Sequence, residues 1–255
     1  MPKLVETIDH GPIRELRLAR PPVNALDPAL SGELAAAVAA ASAPGSGVAG
    51  LVLSGGPKVF SAGLDVPYLV SLGADRGALR AAWEAFFLAA RAIAQASVPV
   101  VAALAGHAPA GGCVLALCCD YRVMASGPYA IGLNETQVGL VAPEGIQHLM
   151  RRVVGPYRAE RLLIAGELVQ ADAALAMGLV DELVDIDSVA TRARVWLEQL
   201  LALPRQPMLE TRRIARADLV AALEPERIEL DRFIDAWYSD DTQSALRALM
   251  LKLGK

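Results

Sequence analysis

The residues between Ala105 and Glu135 combine a glycine pair, an apolar helical segment and a carboxylate. Gly111 and Gly112 lack a Cβ atom, so backbone N–H groups at this turn can approach a ligand closely. A helix that starts at the turn adds the positive end of its dipole. The pattern predicts an oxyanion site, and Glu135, which follows a separate extended segment, is placed to act as a base beside the stabilised anion.

The composition indicates a globular protein with a sizeable core. The chain has 255 residues, of which 54% are hydrophobic, enough for one large domain or for a domain with an appendage. Its 24 basic and 28 acidic residues give a net charge of −4 and are mixed along the chain, without long runs of like charge. Nucleic acid is therefore not an expected partner.

The cysteines and the longest uncharged segment both indicate a buried interior. Cys113, Cys118 and Cys119 lie in one apolar stretch without paired zinc-ligand spacing, which predicts reduced core thiols, no metal site and a cytoplasmic location. The N-terminal residues carry no signal-like apolar region. No charged residue occurs between Arg91 and Asp120, but prolines and glycines divide this segment. We therefore expect buried α/β core and no membrane span.

Hydrophobic periodicity predicts an α/β protein that ends in helices. Alternation on both sides of residues 10–12 predicts an N-terminal hairpin, and residues 47–54 and 99–104 are typical of buried strands. A loop is expected through Glu144, with a helix beginning near His148. The strand signals stop near residue 187, and the later apolar stripes must be buried against the chain's own core or a neighbouring subunit. A stripe with helical spacing predicts core at Leu79, Trp83, Phe86, Phe87 and Ala90.

Three motifs together resemble the crotonase superfamily, the enoyl-CoA hydratase/isomerase group. They are FSAGLD at 60–65, PAGGC at 109–113 and the CDY to IGLNE run at 119–135. Within the superfamily, residues 109–143 are most similar to isomerases of the mitochondrial Δ3,Δ2-enoyl-CoA type, which act on 3-enoyl thioesters from unsaturated fatty acids. The resemblance implies an α/β fold, a crotonase-like ββα spiral core over residues 1–195. It also implies an α-helical C-terminal region over residues 196–255 that builds homotrimers or hexamers.

The resemblance also assigns roles to individual residues. It places oxyanion donors at the backbone N–H groups of Leu64 and Gly111, and a catalytic base at Glu135 that moves a proton from C2 to C4 of an acyl-CoA thioester. Asn134 matches a position that lines the substrate site. No cofactor is implied, because coenzyme A arrives with the substrate. The loop expected to receive coenzyme A, mostly through backbone groups, contains Ser61, Ala62, Gly63 and Asp65.

Two positions bear on which reaction is catalysed. Hydratases of the superfamily use two glutamates, and the position of the first is Val114 in this chain, which favours isomerisation because valine cannot activate water. Glu144, in the VAPEG segment, would restore a second carboxylate and a hydratase activity if it turned into the site. A further alternative is a non-catalytic crotonase-fold protein that serves as a binding or scaffold subunit. Lys58 is a candidate for the phosphates of coenzyme A, and His107 and His148 are interpreted as structural.

Overall fold

The computed structural model describes residues 3–254 and contains two β-sheets. The hairpin expected at the N-terminus is confirmed, with Val5 opposite Leu18 in an antiparallel pair. The strands are β1 (Val5–His10), β2 (Ile13–Leu18), β3 (Gly50–Ser54), β4 (Val100–Leu104), β5 (Ala108–Pro109), β6 (Tyr121–Ala125), β7 (Ala130–Gly132), β8 (Val169–Gln170) and β9 (Glu182–Val184).

The larger sheet has six strands in the order β1-β2-β3-β4-β6-β9. Apart from the hairpin, its neighbouring strands run parallel. Every residue of β3 and β4 is buried, which is why both strands are nearly continuous apolar runs in the sequence. The smaller sheet has the order β5-β7-β8, and it joins the segment before Gly111 to the segment before Glu135.

The helices cover both faces of the larger sheet. Leu51 and Leu53 of β3 belong to the main core, whereas Val52 between them belongs to a second core on the opposite face, as the alternation of a strand requires. The helices are α1 (Pro28–Ser42), α2 (Val66–Ser71), α3 (Arg76–Gln95), α4 (Gly111–Leu117), α5 (Glu144–Val154), α6 (Pro156–Ala165), α7 (Ala171–Ala176), α8 (Val189–Leu201), α9 (Arg205–Ala215), α10 (Ala217–Ala222), α11 (Pro225–Ile228), α12 (Leu230–Trp237) and α13 (Asp240–Lys252).

Helix α3 confirms the aromatic stripe as core. It begins after Asp75, whose carboxylate accepts a hydrogen bond from the Ala78 amide at 2.9 Å and so caps the helix. Trp83 contacts the rings of Phe86, Phe87 and, from α12, Phe233, at centroid distances of 6.1, 6.1 and 4.3 Å. This cluster fixes α12 against α3.

The C-terminal part of the described chain is helical, as expected. Helix α8 packs on β3, β4 and β6, and Leu197 fills the second core. The boundary expected after residue 195 falls inside α8, so the division into 1–195 and 196–255 stays a prediction. Within residues 3–254, no helix is long and apolar enough to cross a membrane.

One element boundary expected from the sequence is wrong. Glu144 does not lie in a loop, because α5 begins at Glu144, four residues before His148. Pro143 and Gly145, on either side of Glu144, disfavour the interior of a helix, but proline is well tolerated where a helix begins since its φ angle is already close to the helical value.

Candidate active site

Three loops meet beside the small sheet. Strands β3 and β4 are parallel neighbours, so the loops that follow them leave the same edge of the sheet. An isolated bridge between Val59 and His107 joins these two loops, and a bridge between Leu26 and Leu64 adds the loop that follows β2. The SAGLD and PAGGC motifs are therefore neighbours in space as well as parts of one sequence signature.

The two motifs approach so closely that side chains are excluded at two positions. A Cβ atom at Gly112 would lie 2.5 Å from the carbonyl oxygen of Ser61. At Gly63, where φ is +84°, a Cβ atom would lie 3.0 Å from the backbone nitrogen of Gly111. Glycine is required at both positions, because a Cβ would collide with backbone at Gly112 and the left-handed φ of Gly63 disfavours other residues.

The two predicted oxyanion donors carry amides that the fold leaves unused. Leu64 follows Gly63, and Gly111 is the first residue of α4, where no preceding helical carbonyl can accept its N–H. Neither amide donates a hydrogen bond within residues 3–254. Ala110, just before α4, has φ 48° and ψ −121°, a strained conformation for an alanine, and its own amide donates to the Gly132 carbonyl at 2.8 Å. That hydrogen bond ties the strained turn to β7.

Strand β7 brings Glu135 to the same place. Its residue Ile131 pairs with Ala108 of β5, so the segment before Glu135 runs parallel to the segment before Gly111. After Asn134 the chain forms a 3₁₀ turn, Glu135–Val138, and Gly139 ends it. The base predicted from the sequence and the glycine turn are thus adjacent through backbone pairing.

The carboxyl group of Glu135 is shielded and forms no ion pair in the described residues. Its Oε2 atom is buried and has no hydrogen-bond partner in the part of the chain that the structure describes. Burial raises the pKa of Glu135 from 4.5 to about 7, and a hydrogen bond from its own backbone amide opposes the shift only partly. A carboxyl group with this pKa can exchange a proton in either direction near neutral pH.

Glu135 lines a cavity of about 560 Å³ with mostly apolar walls. Among the residues predicted for the site, five line this cavity: Ala62, Leu64, Asp65, Asn134 and Glu135. Ser61, Gly63 and Gly111 lie next to lining residues in sequence but do not line it themselves. Ser61 is fully buried, where its hydroxyl donates to the Asn24 carbonyl at 2.8 Å and accepts from the Gly63 amide at 3.2 Å.

Asp65 and a residue that sequence reasoning missed, Arg20, hold the cavity rim. The Arg20 guanidinium contacts the carboxylates of Asp65 at 2.7 Å and Asp27 at 3.1 Å. Asp65 also accepts a hydrogen bond from the Tyr68 amide at 3.0 Å, which caps α2. Arg20 stands directly before Pro21 and Pro22, which restrict the backbone of the segment that follows. A charged residue at the start of this segment is the only feature of the sequence that could have indicated a role for Arg20 at the site.

The other missed residues come from helices distant in sequence. Trp83 of α3 and Trp237 of α12 line the cavity, as do Leu249 and Leu253 at the C-terminal end. Their apolar spacing predicts burial, which is confirmed for Trp83 and Trp237 but wrong for Leu253, which is 51% exposed at the end of the described chain. The spacing gave no information on the surface against which they pack.

Glu144 does not line the cavity, so the alternative in which it supplies a second catalytic carboxylate beside Glu135 has no support from its position. Its carboxylate is held by Arg227, with hydrogen bonds of 2.7 Å to both oxygens, and by Arg151. Val114, at the position of the first hydratase glutamate, is buried in α4 at 2% exposure. Glu135 is therefore the only glutamate among the residues that line the cavity.

The remaining polar candidates have structural surroundings. The Nδ1 atom of His107 accepts a hydrogen bond from the Ala130 amide at 3.1 Å, and His148 lies 3.5 Å from the Asp218 carboxylate. Lys58 is exposed and does not line the cavity. Residues 3–254 contain no cluster of three or more histidine, cysteine or acidic side chains suited to a metal ion.

Comparison with known proteins defines the class to which this fold and site belong. A profile of the enoyl-CoA hydratase/isomerase family matches residues 9–248, and the chain belongs to this family. It is 34% identical to mitochondrial enoyl-CoA delta isomerase 1 of Mus musculus over 253 residues, which are 98% of this chain and 86% of the relative. It is also 34% identical to a probable enoyl-CoA hydratase of Mycobacterium tuberculosis, over 85% of this chain and 81% of the relative.

The solved structures confirm the crotonase-like fold. The human mitochondrial Δ3,Δ2-enoyl-CoA isomerase superposes with a TM-score of 0.92 at 30% identity, covering 98% of both chains. An enoyl-CoA hydratase/isomerase from Mycobacterium paratuberculosis superposes with a TM-score of 0.86 at 25% identity, covering 97% of this chain and 99% of the other.

Proposed function

We propose that this protein is a Δ3,Δ2-enoyl-CoA isomerase, which moves the double bond of a 3-enoyl-CoA to the trans-2 position. The observation that carries the proposal is the single unpaired carboxyl group of Glu135, with its pKa raised to about 7, in a cavity beside two unused backbone amides. The similarity to the mouse and human isomerases over 98% of the chain supports the same reaction.

The proposed reaction needs one base and one oxyanion site. The ionised carboxylate of Glu135 takes a proton from C2 of the thioester, and the electron pair moves onto the carbonyl oxygen as an enolate. The amides of Leu64 and Gly111 donate hydrogen bonds to that oxygen, each worth about 3 kcal/mol in comparable sites. The protonated Glu135 then returns the proton to C4, and the double bond becomes conjugated with the carbonyl.

The same proposal places the rest of the substrate. The loop of Ser61, Ala62, Gly63 and Asp65 would receive coenzyme A, while Asn134 orients the acyl chain or Glu135 from the cavity wall. Coenzyme A enters as part of the substrate, so this chemistry requires no additional cofactor. The apolar side chains of Leu69, Trp83 and Leu140 would surround the acyl chain and exclude water.

Hydration is the second candidate, because one relative is named as a probable enoyl-CoA hydratase. Addition of water to a 2-enoyl-CoA requires a water held between two acid–base groups. Of the two carboxylates that line the cavity, Asp65 is paired with Arg20 at 2.7 Å, which leaves Glu135. Val114 has no polar atom in its side chain, and Glu144 is held by two arginines outside the cavity. We therefore place isomerisation first.

Two assays separate the candidates. Isomerisation of 3-hexenoyl-CoA is followed by the ultraviolet absorbance of the conjugated product, and hydration of crotonyl-CoA by the loss of that absorbance. We expect isomerisation by the wild type, loss of at least 100-fold in kcat for Glu135→Gln, and wild-type rates for the matched control Glu144→Gln. Inactivity of the wild type, or full activity of Glu135→Gln, would refute the proposal. Inactivity together with no acyl-CoA binding by calorimetry would favour the scaffold alternative.

The assembly and location remain proposals as well. We propose a homotrimer or hexamer, as the resemblance implies, and light scattering of the purified protein measures its mass directly. A cytoplasmic location stays a prediction from the cysteines.

A further inference from the structure

A second cavity, separate from the one that Glu135 lines, is lined by four arginines. It has a volume of about 230 Å³ and shares no lining residue with the Glu135 cavity. Its charged lining residues are Arg122, Arg152, Arg212, Arg216 and a single carboxylate, Asp120. Arg122 and Arg216 are each only 7% exposed, so these charges are mostly removed from water.

The carboxylates near this arginine cavity do not balance its arginines. Asp120 is shared by Arg212, at 2.8 Å, and Arg216, at 3.0 Å. The other two pairs join Arg122 to Asp181 at 2.8 Å and Arg152 to Asp218 at 3.1 Å. Four guanidinium groups therefore share three carboxylates, which leaves an excess positive charge, and burial of an uncompensated charge is costly.

Several N–H donors at the arginine cavity are also unused. The Nε atom of Arg216 is buried without a hydrogen-bond partner. The Nη1 atoms of Arg122 and Arg152 donate no hydrogen bond within residues 3–254, although their other nitrogens contact carboxylates or backbone carbonyls. The Nε atom of Arg216 is therefore a buried donor without an acceptor, and a ligand that accepts from it and from the two Nη1 atoms would be stabilised.

We propose that the arginine cavity binds a small tetrahedral oxyanion of the phosphate type. Guanidinium groups donate in a planar fork that suits phosphate oxygens, and such charge-assisted hydrogen bonds are roughly twice as strong as neutral ones. The cavity is smaller than the roughly 300–1,000 Å³ of pockets that hold larger organic ligands, which selects a free oxyanion over a nucleotide.

The position of the arginine cavity predicts an effect on stability. Arg152 belongs to α5, Arg122 to β6 and Arg216 directly precedes α10, so one bound anion would connect three elements. A ligand that binds the folded state alone stabilises it by about 2.7 kcal/mol when its concentration is 100 times Kd. Phosphate should therefore raise the thermal midpoint of the whole protein.

The neighbouring arginines of α5 provide a matched test. Arg152 lines the cavity, whereas Arg151 is paired with Glu144 and does not. Arg152 pairs with Asp218, whose side chain is 52% exposed, so Arg152→Gln leaves no buried carboxylate and should fold. Thermal unfolding and calorimetry are carried out on wild type, Arg152→Gln and Arg151→Gln, with inorganic phosphate or sulfate and with sodium chloride held at equal ionic strength.

We expect saturable binding of phosphate and a rise in the wild-type midpoint that chloride does not produce. Arg152→Gln should weaken phosphate binding at least tenfold, and Arg151→Gln should leave it unchanged. The inference is overturned if phosphate acts no differently from chloride. It is also overturned if both variants lose binding equally, which indicates a general charge effect, or if neither does, which places the anion elsewhere.

Discussion

Replacing Glu135 with glutamine should stabilise the protein at neutral and higher pH while removing its activity. The carboxyl group is buried in the described structure and its Oε2 has no partner, which raises its pKa from 4.5 to about 7. Ionisation in the folded state therefore occurs at the expense of stability. A neutral glutamine of nearly the same shape removes that cost and also removes the base.

The sign and size of the effect follow from proton linkage. Between pH 4.5 and 7 the folded protein holds a proton on Glu135 that the unfolded chain releases, so stability is full below pH 4.5 and falls as the pH rises through about 7. Each pKa unit corresponds to 1.36 kcal/mol, so the whole difference amounts to about 3 kcal/mol. Glu135→Gln carries no titrating group at this position, so its free energy of unfolding should not fall by this amount as the pH rises.

The assay is urea unfolding of wild type and Glu135→Gln at several pH values from 4.5 to 8.5. The variant's advantage in unfolding free energy should grow by about 3 kcal/mol between the lowest pH and pH 7.5, and then level off. Glu144→Gln serves as the control and should show no such growth, because its carboxylate is exposed and ion-paired. Parallel curves for wild type and Glu135→Gln would refute the buried, unpaired state of this carboxyl group.

Four further results are expected. The kcat/KM of the wild type should rise with pH and level off above about 7, because the base must be ionised; a flat profile from pH 5.5 to 8.5 would contradict this role. The Thr242 hydroxyl donates to the Gly139 carbonyl at 2.5 Å, where the 3₁₀ turn that begins at Glu135 ends. Thr242→Val should therefore lower the free energy of unfolding in urea by about 1 kcal/mol and lower kcat, whereas Thr242→Ser should keep both near their wild-type values. Trp83→Ala should lower the free energy of unfolding by about 3–5 kcal/mol, because it removes a large buried side chain. It should also enlarge the cavity and so shift the substrate preference toward bulkier acyl chains, measured as kcat/KM across chain lengths. The native thiols should resist iodoacetamide, followed by mass spectrometry, because burial raises the pKa of Cys118 to about 12.

Local patterns predicted most of the fold because they report on neighbours close in sequence. The hairpin, the buried strands β3 and β4 and the core stripe of α3 all appear where periodicity placed them. The helix at Glu144 was missed because proline and glycine act as breakers inside a helix but are tolerated at its first turn. The same residue types therefore have opposite meanings that depend on position.

The site was predictable only where chemistry constrains the local sequence. The close approach of two backbone segments requires glycine at position 112. The base must follow a strand that pairs beside the glycine turn. Each requirement restricts the local sequence and so produces a recognisable motif. The cavity wall requires only apolar area, which many residues supply. Trp237 and Leu249 reach it through the packing of helices more than 100 positions away, and no local pattern encodes that contact.

The features that make this site reactive are also those that weaken the fold. Within residues 3–254, Ala110 is held at φ 48°, two backbone amides lack acceptors and the Oε2 atom of Glu135 is buried without a partner. Each is a local cost; the amides would gain an acceptor when an enolate oxygen meets them, and the carboxylate would lose its charge when it takes the proton, while the strain at Ala110 holds the glycine turn in place. A chain selected for stability alone would pair the amides and carry an apolar residue in place of Glu135. The presence of all three costs around one cavity is therefore an argument for catalysis over a scaffold role, and the extra stability expected of Glu135→Gln measures one of them.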